Sequence, residues 1–428
     1  MTFFFYVFYN IFRVPLFIIV KIAGLFNAKI RETLDGRKDL LALLEKKMDG
    51  IPADAPRLWI HASSMGEYEQ AIPLANEMLQ RNPSTWIVLT LFSPSVFKHI
   101  KESIDRTVLI YLPFDSPRNV KRFLDAAKPS ASVIIRHDIW PNYQWHLQKR
   151  NIPSILADAS ISDKRVNSAK RLSAYYKQVF NTFSAICAVS DLNAERIKTV
   201  FSRPLDIHVC GDTRYDRVRE RALDRSPISE LLDSNLFSHK RCLVVGSSWP
   251  EDENVIFPAI SKAFNQLDDF SLVIAPHELT ADHLASIEKF FAKDGIKLVR
   301  WSQFVNESSD SCRVLLVDTI GLLANLYALG SMAYVGGAFG IGVHSVLEPA
   351  AHGVYISFGP GYLNSHEASD MAENVSVPIS TDQEFENFLM QALQDPERTA
   401  QKGQKTLEYI QDNFGASRKT ADIIEKYL

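Results

Sequence analysis

The sequence predicts an α/β protein in which two Rossmann-like domains of similar size follow an N-terminal apolar helix. With 428 residues, the chain is longer than one ordinary hydrophobic core organises, which favours two domains. From Trp59 onwards, short apolar runs rich in β-branched residues alternate with amphipathic helical stretches, a pattern typical of parallel sheets covered by helices. The alternation occurs as two series separated by a charged segment, so each series predicts one sheet.

The strand-like runs place the domain boundaries. The first series consists of RLWIHA, TWIVLTLF, TVLIYLPF, ASVIIRH, PSILADA and AICAVS, and the second of RCLVVGSS, FSLVIAP, IKLVRW, VLLVDT, MAYVGG and VYISFG. The polar segment 212–230 lies between them, so we place the domains at residues 29–218 and 219–410. Residues 411–428 form a helical pattern with no strand after it, and we expect this helix to pack back on the first domain. Ligands of such domains bind at the carboxyl ends of the strands, in a cleft that both domains face.

Composition excludes several classes of function. The net charge is −3 and the isoelectric point is near 6.4, so nothing overall indicates nucleic-acid binding. The four cysteines are far apart and form no CxxC pair, which argues against a disulfide framework or a zinc site. They are Cys187, Cys210, Cys242 and Cys312.

Residues 1–28 are dense in Phe, Ile and Val. A cleaved signal peptide begins with positive charge and ends in small residues, and this segment does neither. Arg13 near the middle would cost a membrane-spanning helix roughly 2.5–3.5 kcal/mol. We therefore expect a helix that lies in or dips into the cytoplasmic leaflet; a buried core helix and a true span are the alternatives. Basic residues suited to anionic headgroups follow at Lys29, Arg31, Arg37 and Lys38.

The stretch from Tyr334 to Pro360, YVGGAFGIGVHSVLEPAAHGVYISFGP, is the most informative one in the chain. An apolar run leads into a glycine-rich turn, a short helical pattern and a second apolar run. Glycines let backbone approach a ligand, and a helix N-terminus favours an anion. Glu348 is placed to hold a ribose diol, so the segment predicts a nucleotide site. Its candidate binding residues are Gly337, Gly340, Gly342, His344 and Glu348.

Further polar residues follow other strands of the second series. Ser247 and Ser248 either cap the next helix or bind a phosphate. His277 follows the run FSLVIAP, and Asp318 and Thr319 follow VLLV. All five are candidate nucleotide-binding residues, because parallel strands bring their carboxyl ends to one edge of the sheet.

In the first domain, Ser64, Gly66 and Glu67 follow the run RLWIHA. Glu67 either complements the dipole of the helix that begins there or acts as a general base at the edge of the sheet. Glu69 points elsewhere on the same helix and is expected to be solvated. Ser64 and Gly66 are candidate contacts to an acceptor or a phosphate.

Two more segments of the first domain carry candidate contacts. In RHDIWPNY, Asp138 with its two preceding residues is placed to contact a substrate, and Trp140-Pro141-Asn142 is alternatively a rigid structural turn. Arg214, in GDTRYD, either binds a phosphate or carboxylate or forms a surface ion pair.

Taken in order, these segments resemble the motifs of the 3-deoxy-D-manno-octulosonic acid (Kdo) transferase family of lipopolysaccharide synthesis. The family pattern comprises an HAxSxGE loop, a WPN segment, a GN-x-K/R-[FY]-D segment, a GS-x-x-x-x-E turn and an [YF]VGG…H…LEPA…G…FGP block. Here these are HASSMGE, WPN, GDTRYD, GSSWPEDE and the stretch from Tyr334. Two departures are that Pro276 rather than a basic residue precedes His277, and that Trp249 stands where His is common.

The resemblance implies an inverting glycosyltransferase of the GT-B type that moves Kdo from CMP-Kdo, bound mainly by the second domain, to a lipid A precursor of the lipid IVA type. Glu67 matches the catalytic base of the family. No metal or other cofactor is expected, because a donor with one phosphate is held by serines, arginines and helix N-termini. The implied partners are CMP-Kdo, the lipid A precursor and the lipid surface at the cytoplasmic face of the inner membrane, with no nucleic acid. Alternatives are another GT-B enzyme that uses a UDP-sugar, as transferase or epimerase, and a membrane-tethered binding protein without catalysis.

Overall fold

A computed structural model describes residues 2–100, 104–161, 166, 179–200, 206–229, 231, 241–304 and 313–428. The chain divides into two compact units. The first consists of Met1–Arg217 together with Phe414–Leu428, and the second of Val218–Asn413.

The first unit contains a parallel seven-stranded sheet in the order β3-β2-β1-β4-β5-β6-β7. Its strands are β1 (Arg57–Ala62), β2 (Trp86–Leu91), β3 (Thr107–Tyr111), β4 (Ala131–Ile135), β5 (Ser154–Ala159), β6 (Ala185–Ala188) and β7 (Ile207–Val209). The strand order reverses its direction between β1 and β4, which is the position where doubly wound sheets bind ligands.

Helices cover both faces of this sheet. They are α1 (Thr2–Phe26), α2 (Ala28–Asp35), α3 (Leu40–Met48), α4 (Met65–Arg81), α5 (Pro94–His99), α6 (Pro117–Ala127), α7 (Pro141–Lys149), α8 (Asp191–Val200) and α9 (Thr213–Leu223), within which the division between the units falls. Successive residues of β1 point to opposite faces, so Leu58 and Ile60 join one buried cluster while Trp59 joins the other. Burial on both faces explains why the strands of this sheet are continuous apolar runs.

The end of the chain belongs to the first unit. Its last helix, Ala416–Glu425, contributes Ala421, Ile423 and Ile424 to the cluster that also contains β1 and α4. The Asp216 carboxylate accepts hydrogen bonds from the backbone N–H groups of Gly415, at 2.6 Å, and Ser417, at 2.7 Å. This buried carboxylate fixes the start of the helix.

The second unit contains another parallel seven-stranded sheet, in the order β10-β11-β9-β8-β12-β13-β14. Its strands are β8 (Cys242–Ser248), β9 (Ser271–Pro276), β10 (Leu298–Arg300), β11 (Val314–Leu316), β12 (Met332–Val335), β13 (Tyr355–Phe358) and β14 (Val377–Pro378). Its helices are α10 (Pro250–Gln266), α11 (Ala281–Ala292), α12 (Trp301–Phe304), α13 (Leu323–Leu326), α14 (Leu347–Ala351), α15 (His366–Asn374), α16 (Asp382–Gln394) and α17 (Pro396–Gln411). The last helix of the chain, Ala416–Glu425 in the first unit, is α18. Single 3₁₀ turns lie at Ser226–Ile228 and Tyr327–Leu329.

The two parallel sheets confirm the predicted α/β fold class. All twelve predicted runs contain a strand, whereas the edge strands β7 and β14 were not predicted. They have three and two residues, too few to show the length and periodicity by which a strand is recognised. Cys187, Cys210 and Cys242 are buried free thiols, and Cys312 lies outside the described residues.

Helix α1 is long and apolar enough to cross a membrane, with a mean hydropathy of 1.9 over Phe3–Phe26. Most of its large apolar side chains are exposed, so the alternative of a buried core helix is wrong. Of the basic residues expected at headgroups, Arg37 instead donates hydrogen bonds to three carbonyl oxygens and stacks on aromatic rings, and Lys38 pairs with Asp35 at 2.7 Å. Burial lowers the pKa of Arg37 to about 10. Arg37 is therefore a structural residue.

Candidate functional site

Glu67 lies in the first turn of α4, directly after β1. Its Oε2 accepts two hydrogen bonds of 2.5 Å, from the backbone N–H and the hydroxyl of Ser63, and its side chain is buried. Ser64 caps the helix by accepting the Glu67 N–H at 3.3 Å. Within the described part of the chain, Oε1 receives no hydrogen bond. The carboxylate is thus held in one orientation with one oxygen left to accept a proton, as a general base requires.

Next to this turn lies an imidazole–carboxylate pair whose imidazole is buried. His61 Nε2 is 2.8 Å from Asp138 Oδ2, and His61 Nδ1 is 3.1 Å from the carbonyl oxygen of Thr90. Asp138 also accepts a 3.1 Å hydrogen bond from the Trp140 indole. Burial opposes ionisation of Asp138, but the hydrogen bonds and the charge of His61 outweigh it and hold its pKa below the usual value. Asp138, a quarter exposed, therefore presents an ionised carboxylate beside β4.

Two further carboxylates are buried at the ends of β5 and β7. Asp212 accepts hydrogen bonds from the Arg214 guanidinium at 2.7–3.1 Å and from the Gln70 amide at 3.0 Å. Burial opposes its ionisation, yet Arg214 dominates and lowers the pKa of Asp212. Among the described residues, only Thr213 donates hydrogen bonds to Asp158, at 2.7 and 2.8 Å. Burial and the charge of Asp212 raise the pKa of Asp158 to about 7. The pKa values of the two carboxyl groups therefore differ, and Asp212 is ionised at a lower pH than Asp158.

Arginines complete this edge of the first sheet. Arg136 lies 3.5 Å from Asp212, has a left-handed backbone (φ 61°), and keeps a buried Nε that has no hydrogen-bond partner among the described residues. Arg214 is a third exposed, and its guanidinium pairs with the buried Asp212 two residues earlier. Glu69 is not solvated as expected, because it accepts a 2.6 Å hydrogen bond from Arg217.

In the second unit, the glycine-rich turn is fixed by one buried acid. Asp252, in the first turn of α10, accepts from the backbone N–H of Gly337 at 2.8 Å, from the Tyr334 hydroxyl at 2.8 Å and from the Trp249 N–H at 3.0 Å. Gly337 has φ 94°, and a Cβ there would lie 2.4 Å from the Gly342 carbonyl oxygen. These contacts force the turn into one conformation, and only glycine fits at position 337.

The end of β8 carries the two candidate serines. Neither caps α10, contrary to that alternative, because Trp249 is the N-cap residue and Asp252 binds its N–H. Ser248 donates to Glu253 at 2.8 Å, and Glu253 also lies 3.0 Å from His283 Nε2. Ser247 has a left-handed backbone (φ 53°), and its hydroxyl makes no hydrogen bond within the described residues. Such strain is typical of ligand sites.

His277 and His344 meet in an aromatic cluster. The His277 ring stacks on Trp249 at 4.6 Å and on His344 at 4.5 Å, while the Trp249 indole donates to His344 Nε2 at 3.1 Å. Burial and the neighbouring His277 lower the pKa of His344, so it is neutral and its proton is on Nδ1. The cluster offers the exposed imidazole of His277 and the partly buried imidazole of His344, whose tautomer is fixed.

The remaining candidates are separate from this cluster. Glu348 is partly exposed and lies 3.5 Å from Arg221, at the second residue of the five-residue helix α14, so little helix dipole acts there. Asp318 accepts hydrogen bonds from Ser302, at the start of α12, and Thr319 is exposed beside it. A Cβ at Gly66 or Gly340 would meet no atom within 4 Å, so no described neighbour requires glycine there.

The comparisons with known proteins bear on this arrangement. The sequence model of the family described as 3-Deoxy-D-manno-octulosonic-acid transferase (kdotransferase) matches residues 37–217. The 3-deoxy-D-manno-octulosonic acid transferase of Haemophilus influenzae is 25% identical over 380 residues, which cover 87% of each chain. That of Aquifex aeolicus is 26% identical over 318 residues, covering 74% of this chain and 78% of its own. The chain is similar to Kdo transferases over most of its length.

These relatives are glycosyltransferases, and the similarity to them supports the prediction of a glycosyltransferase. The UDP-GlcNAc 2-epimerase of Neisseria meningitidis, solved with UDP-GlcNAc, covers 87% of this chain and 99% of its own with a TM-score of 0.59 and 12% identity. At 12% identity the similarity concerns the fold alone, and it confirms the GT-B-type fold. It does not indicate which nucleotide this chain binds.

Several polar residues of the site were not predicted as such. Asp158, Asp212 and Gln70 lie far apart in the sequence and meet only through the strand order. His283 lies inside a helical pattern, where a histidine carries no signal of its own. For Asp252, the signal was the acidic first turn of α10, which indicated a helix start rather than a contact to the glycine-rich turn.

Proposed function

We propose that this protein is a Kdo transferase that moves Kdo from CMP-Kdo to a lipid A precursor of the lipid IVA type, with inversion at the anomeric carbon and with Glu67 as the base. The observation that carries the proposal is the Glu67 carboxylate, held on one oxygen by Ser63 at the carboxyl end of β1. In this reaction Glu67 takes the proton of the acceptor hydroxyl as that oxygen attacks the anomeric carbon. The bond from this carbon to the phosphate oxygen breaks, and CMP leaves from the opposite face.

For the donor, the second unit offers groups of complementary chemistry. The Ser247 hydroxyl can donate to the single phosphate of CMP-Kdo, and Glu348 can accept from the ribose diol. His277 offers a ring face for stacking, and His344 a neutral imidazole. No metal is required in this scheme, because fixed hydrogen-bond donors stabilise the charge of the leaving phosphate.

For the acceptor, the first unit offers a partly exposed arginine and a carboxylate near the base. The Nε of Arg136 has no hydrogen-bond partner in the part of the chain that the structure describes, and its guanidinium can bind an acceptor phosphate, while Asp138 can accept from a sugar hydroxyl. An acylated acceptor resides in a membrane, and the exposed apolar side chains of α1 fit the same surface. We therefore place the enzyme at the cytoplasmic face of the inner membrane.

The test is acceptor-dependent release of CMP from CMP-Kdo with a tetraacylated lipid A precursor. We expect Glu67→Gln to lower kcat by roughly 10²–10⁴, because Gln retains the contact with Ser63 but accepts no proton. Glu69→Gln is the matched control, since Glu69 lies on the same helix and is paired with Arg217; its activity should stay within a few fold of wild type. Full activity of folded Glu67→Gln would refute the role of the base, and binding of UDP in preference to CMP would favour the UDP-sugar alternative.

A further inference from the structure

Helix α1 is fixed to the first unit by a set of polar contacts that we call the α1 latch: Tyr9 and Asn10 on the helix, Asp115 and Asn142 on the unit. The Tyr9 hydroxyl donates to Asp115 Oδ2 at 2.8 Å. Asn10 and Asn142 exchange two amide hydrogen bonds, of 2.9 and 3.1 Å. A reciprocal amide pair and a hydroxyl–carboxylate bond each demand a defined geometry, so α1 has one docking position.

The partners of α1 in the latch are buried. Asn142 has no exposed surface and Asp115 is 4% exposed, and Asn142 binds both the carbonyl oxygen and the carboxylate of Asp115 at 3.2–3.3 Å. If α1 left this position, Asp115 and Asn142 would lose hydrogen bonds that satisfy buried polar groups, which is unfavourable. The helix is therefore part of the fold of the first unit rather than a detachable tail.

Aromatic contacts extend the docked stretch in both directions. The Tyr6 and Tyr9 rings pack against Trp145 at 5.5 and 5.8 Å, and the Phe17 ring packs against Phe114 at 5.0 Å. The helix thus contacts the first unit from residue 6 to residue 17, about 17 Å along its axis at 1.5 Å per residue.

This length is incompatible with a membrane span. A span needs about 20 residues to cross roughly 30 Å of hydrocarbon. With residues 6–17 held against a folded unit, the residues from 18 to 26 cover only about 13 Å. A spanning α1 would either break the latch or draw Asp115 and Asn142 into the hydrocarbon.

The outward side of α1 fits a lipid surface better than a second copy of the chain. Its exposed apolar residues follow one another in adjacent pairs, such as Phe3–Phe4, Ile11–Phe12 and Ile18–Ile19, which is a broader arc than the single stripe that a helix pair buries. The helix contains no acidic residue. Lys21 lies exposed in its last two turns, and Lys29 and Arg31 lie exposed in α2, which follows it. This arrangement suits an anionic lipid interface.

We propose that α1 lies in the plane of the cytoplasmic membrane surface, locked to the first unit by the α1 latch, and does not cross the bilayer. The inference deepens the membrane docking proposed above and rests on it. It also gives the WPN segment two roles, because Trp140 binds Asp138 of the candidate site while Asn142, two residues later, holds the membrane helix. The lipid surface and the acceptor site are thereby joined through one short stretch of backbone.

A cross-linking experiment on vesicle-bound protein tests the latch. The full chain carries Asn10→Cys and Asn142→Cys in a Cys312→Ser background, and the described native cysteines are buried. It is bound to vesicles of phosphatidylethanolamine and phosphatidylglycerol, floated, and treated with a short thiol cross-linker. We expect the same yield, within about twofold, on vesicles and in detergent. Phe12→Cys with Asn142→Cys is the matched control, since Phe12 is 58% exposed on the outward side, and its yield should be at least about tenfold lower.

A second measurement keeps the latch intact. A cysteine in a short tag before residue 1 is labelled with a membrane-impermeant maleimide in inverted inner-membrane vesicles and in spheroplasts. Labelling in inverted vesicles supports the in-plane helix, and labelling in spheroplasts overturns it. Flotation with loss of the Asn10–Asn142 cross-link would overturn the latch while leaving membrane docking in place. Failure to float, with a dimer in solution, would overturn both and leave the transfer reaction itself untouched.

Discussion

Asp158→Asn removes a buried carboxyl whose protonation is coupled to the fold of the first unit. Burial and the charge of Asp212 raise the pKa of Asp158 from an ordinary value of 3.8 to about 7. The substitution preserves its contacts, because the Asn amide can donate to the Thr213 hydroxyl, which then donates to the Gln70 carbonyl oxygen at 2.9 Å, while its Oδ1 accepts the Thr213 N–H. The variant therefore imitates the protonated wild type.

The magnitude follows from proton linkage. A carboxyl whose pKa is higher in the folded chain binds protons more tightly there, so its contribution to stability is complete below about pH 4 and is lost as the pH rises through 7. A difference of about three between the two pKa values corresponds to about 4 kcal/mol. Asp158→Asn lacks this dependence, and we expect it to exceed the wild type in stability by about 2–4 kcal/mol at pH 8. At pH 5 the difference should be less than half as large, about 1–2 kcal/mol, because the carboxyl of the unfolded chain is already ionised there.

Scanning calorimetry of detergent-solubilised protein at pH 5 and pH 8 measures this difference. For a unit of this size 1 kcal/mol shifts Tm by about 2–4 °C, so the variant should unfold about 5–15 °C higher at pH 8. Asp212→Asn is the control of opposite sign at pH 5: it leaves Arg136 and Arg214 without their shared carboxylate and should lower Tm. An equal Tm difference between wild type and Asp158→Asn at both pH values would refute the reasoning.

Two predictions concern the donor site. Gly337→Ala should weaken CMP binding at least tenfold in titration calorimetry, because the new Cβ would lie 2.4 Å from the Gly342 carbonyl oxygen and the backbone has φ 94° there. The control Gly340→Ala places its Cβ in open space and should bind CMP with normal affinity. Equal affinities of the two variants would contradict the argument. His283→Gln should lower the Tm of the second unit below about pH 6.5. Burial opposes protonation of His283, but the hydrogen bond to Glu253 outweighs burial and raises the pKa of His283. That stability is complete below the unfolded pKa and lost as the pH rises through the folded one, so a Tm loss independent of pH would contradict the assignment.

The fold was predictable because burial on both faces leaves a strong signal in each strand. Runs such as RLWIHA and CLVVG are continuous and apolar, and the helices between them impose parallel pairing. The short edge strand Ile207–Val209 carries too little of that signal, since its residues are only partly covered.

The site was predictable where one local pattern carries it and not where the strand order assembles it. Glu67 and Gly337 stand in turns that follow strands, and their neighbours in sequence are also their neighbours in space. Asp158 and Asp212 are brought together by β5 and β7, which are separated along the chain. Sequence spacing gives no measure of that distance, and so the pair became visible only in the structure.

The return of the last helix to the first unit sets an order of events during synthesis. Residues 218–413 lie between the two parts of that unit, so a ribosome must add 211 further residues after Arg217 before α18 can cover α4. At roughly 5–20 residues per second this takes about 10–40 s, during which the apolar α1 has already left the exit tunnel. A nascent chain would therefore present its lipid-facing helix well before the turn that holds Glu67 receives its full support. Loss of only the final 15 residues would leave that support permanently absent.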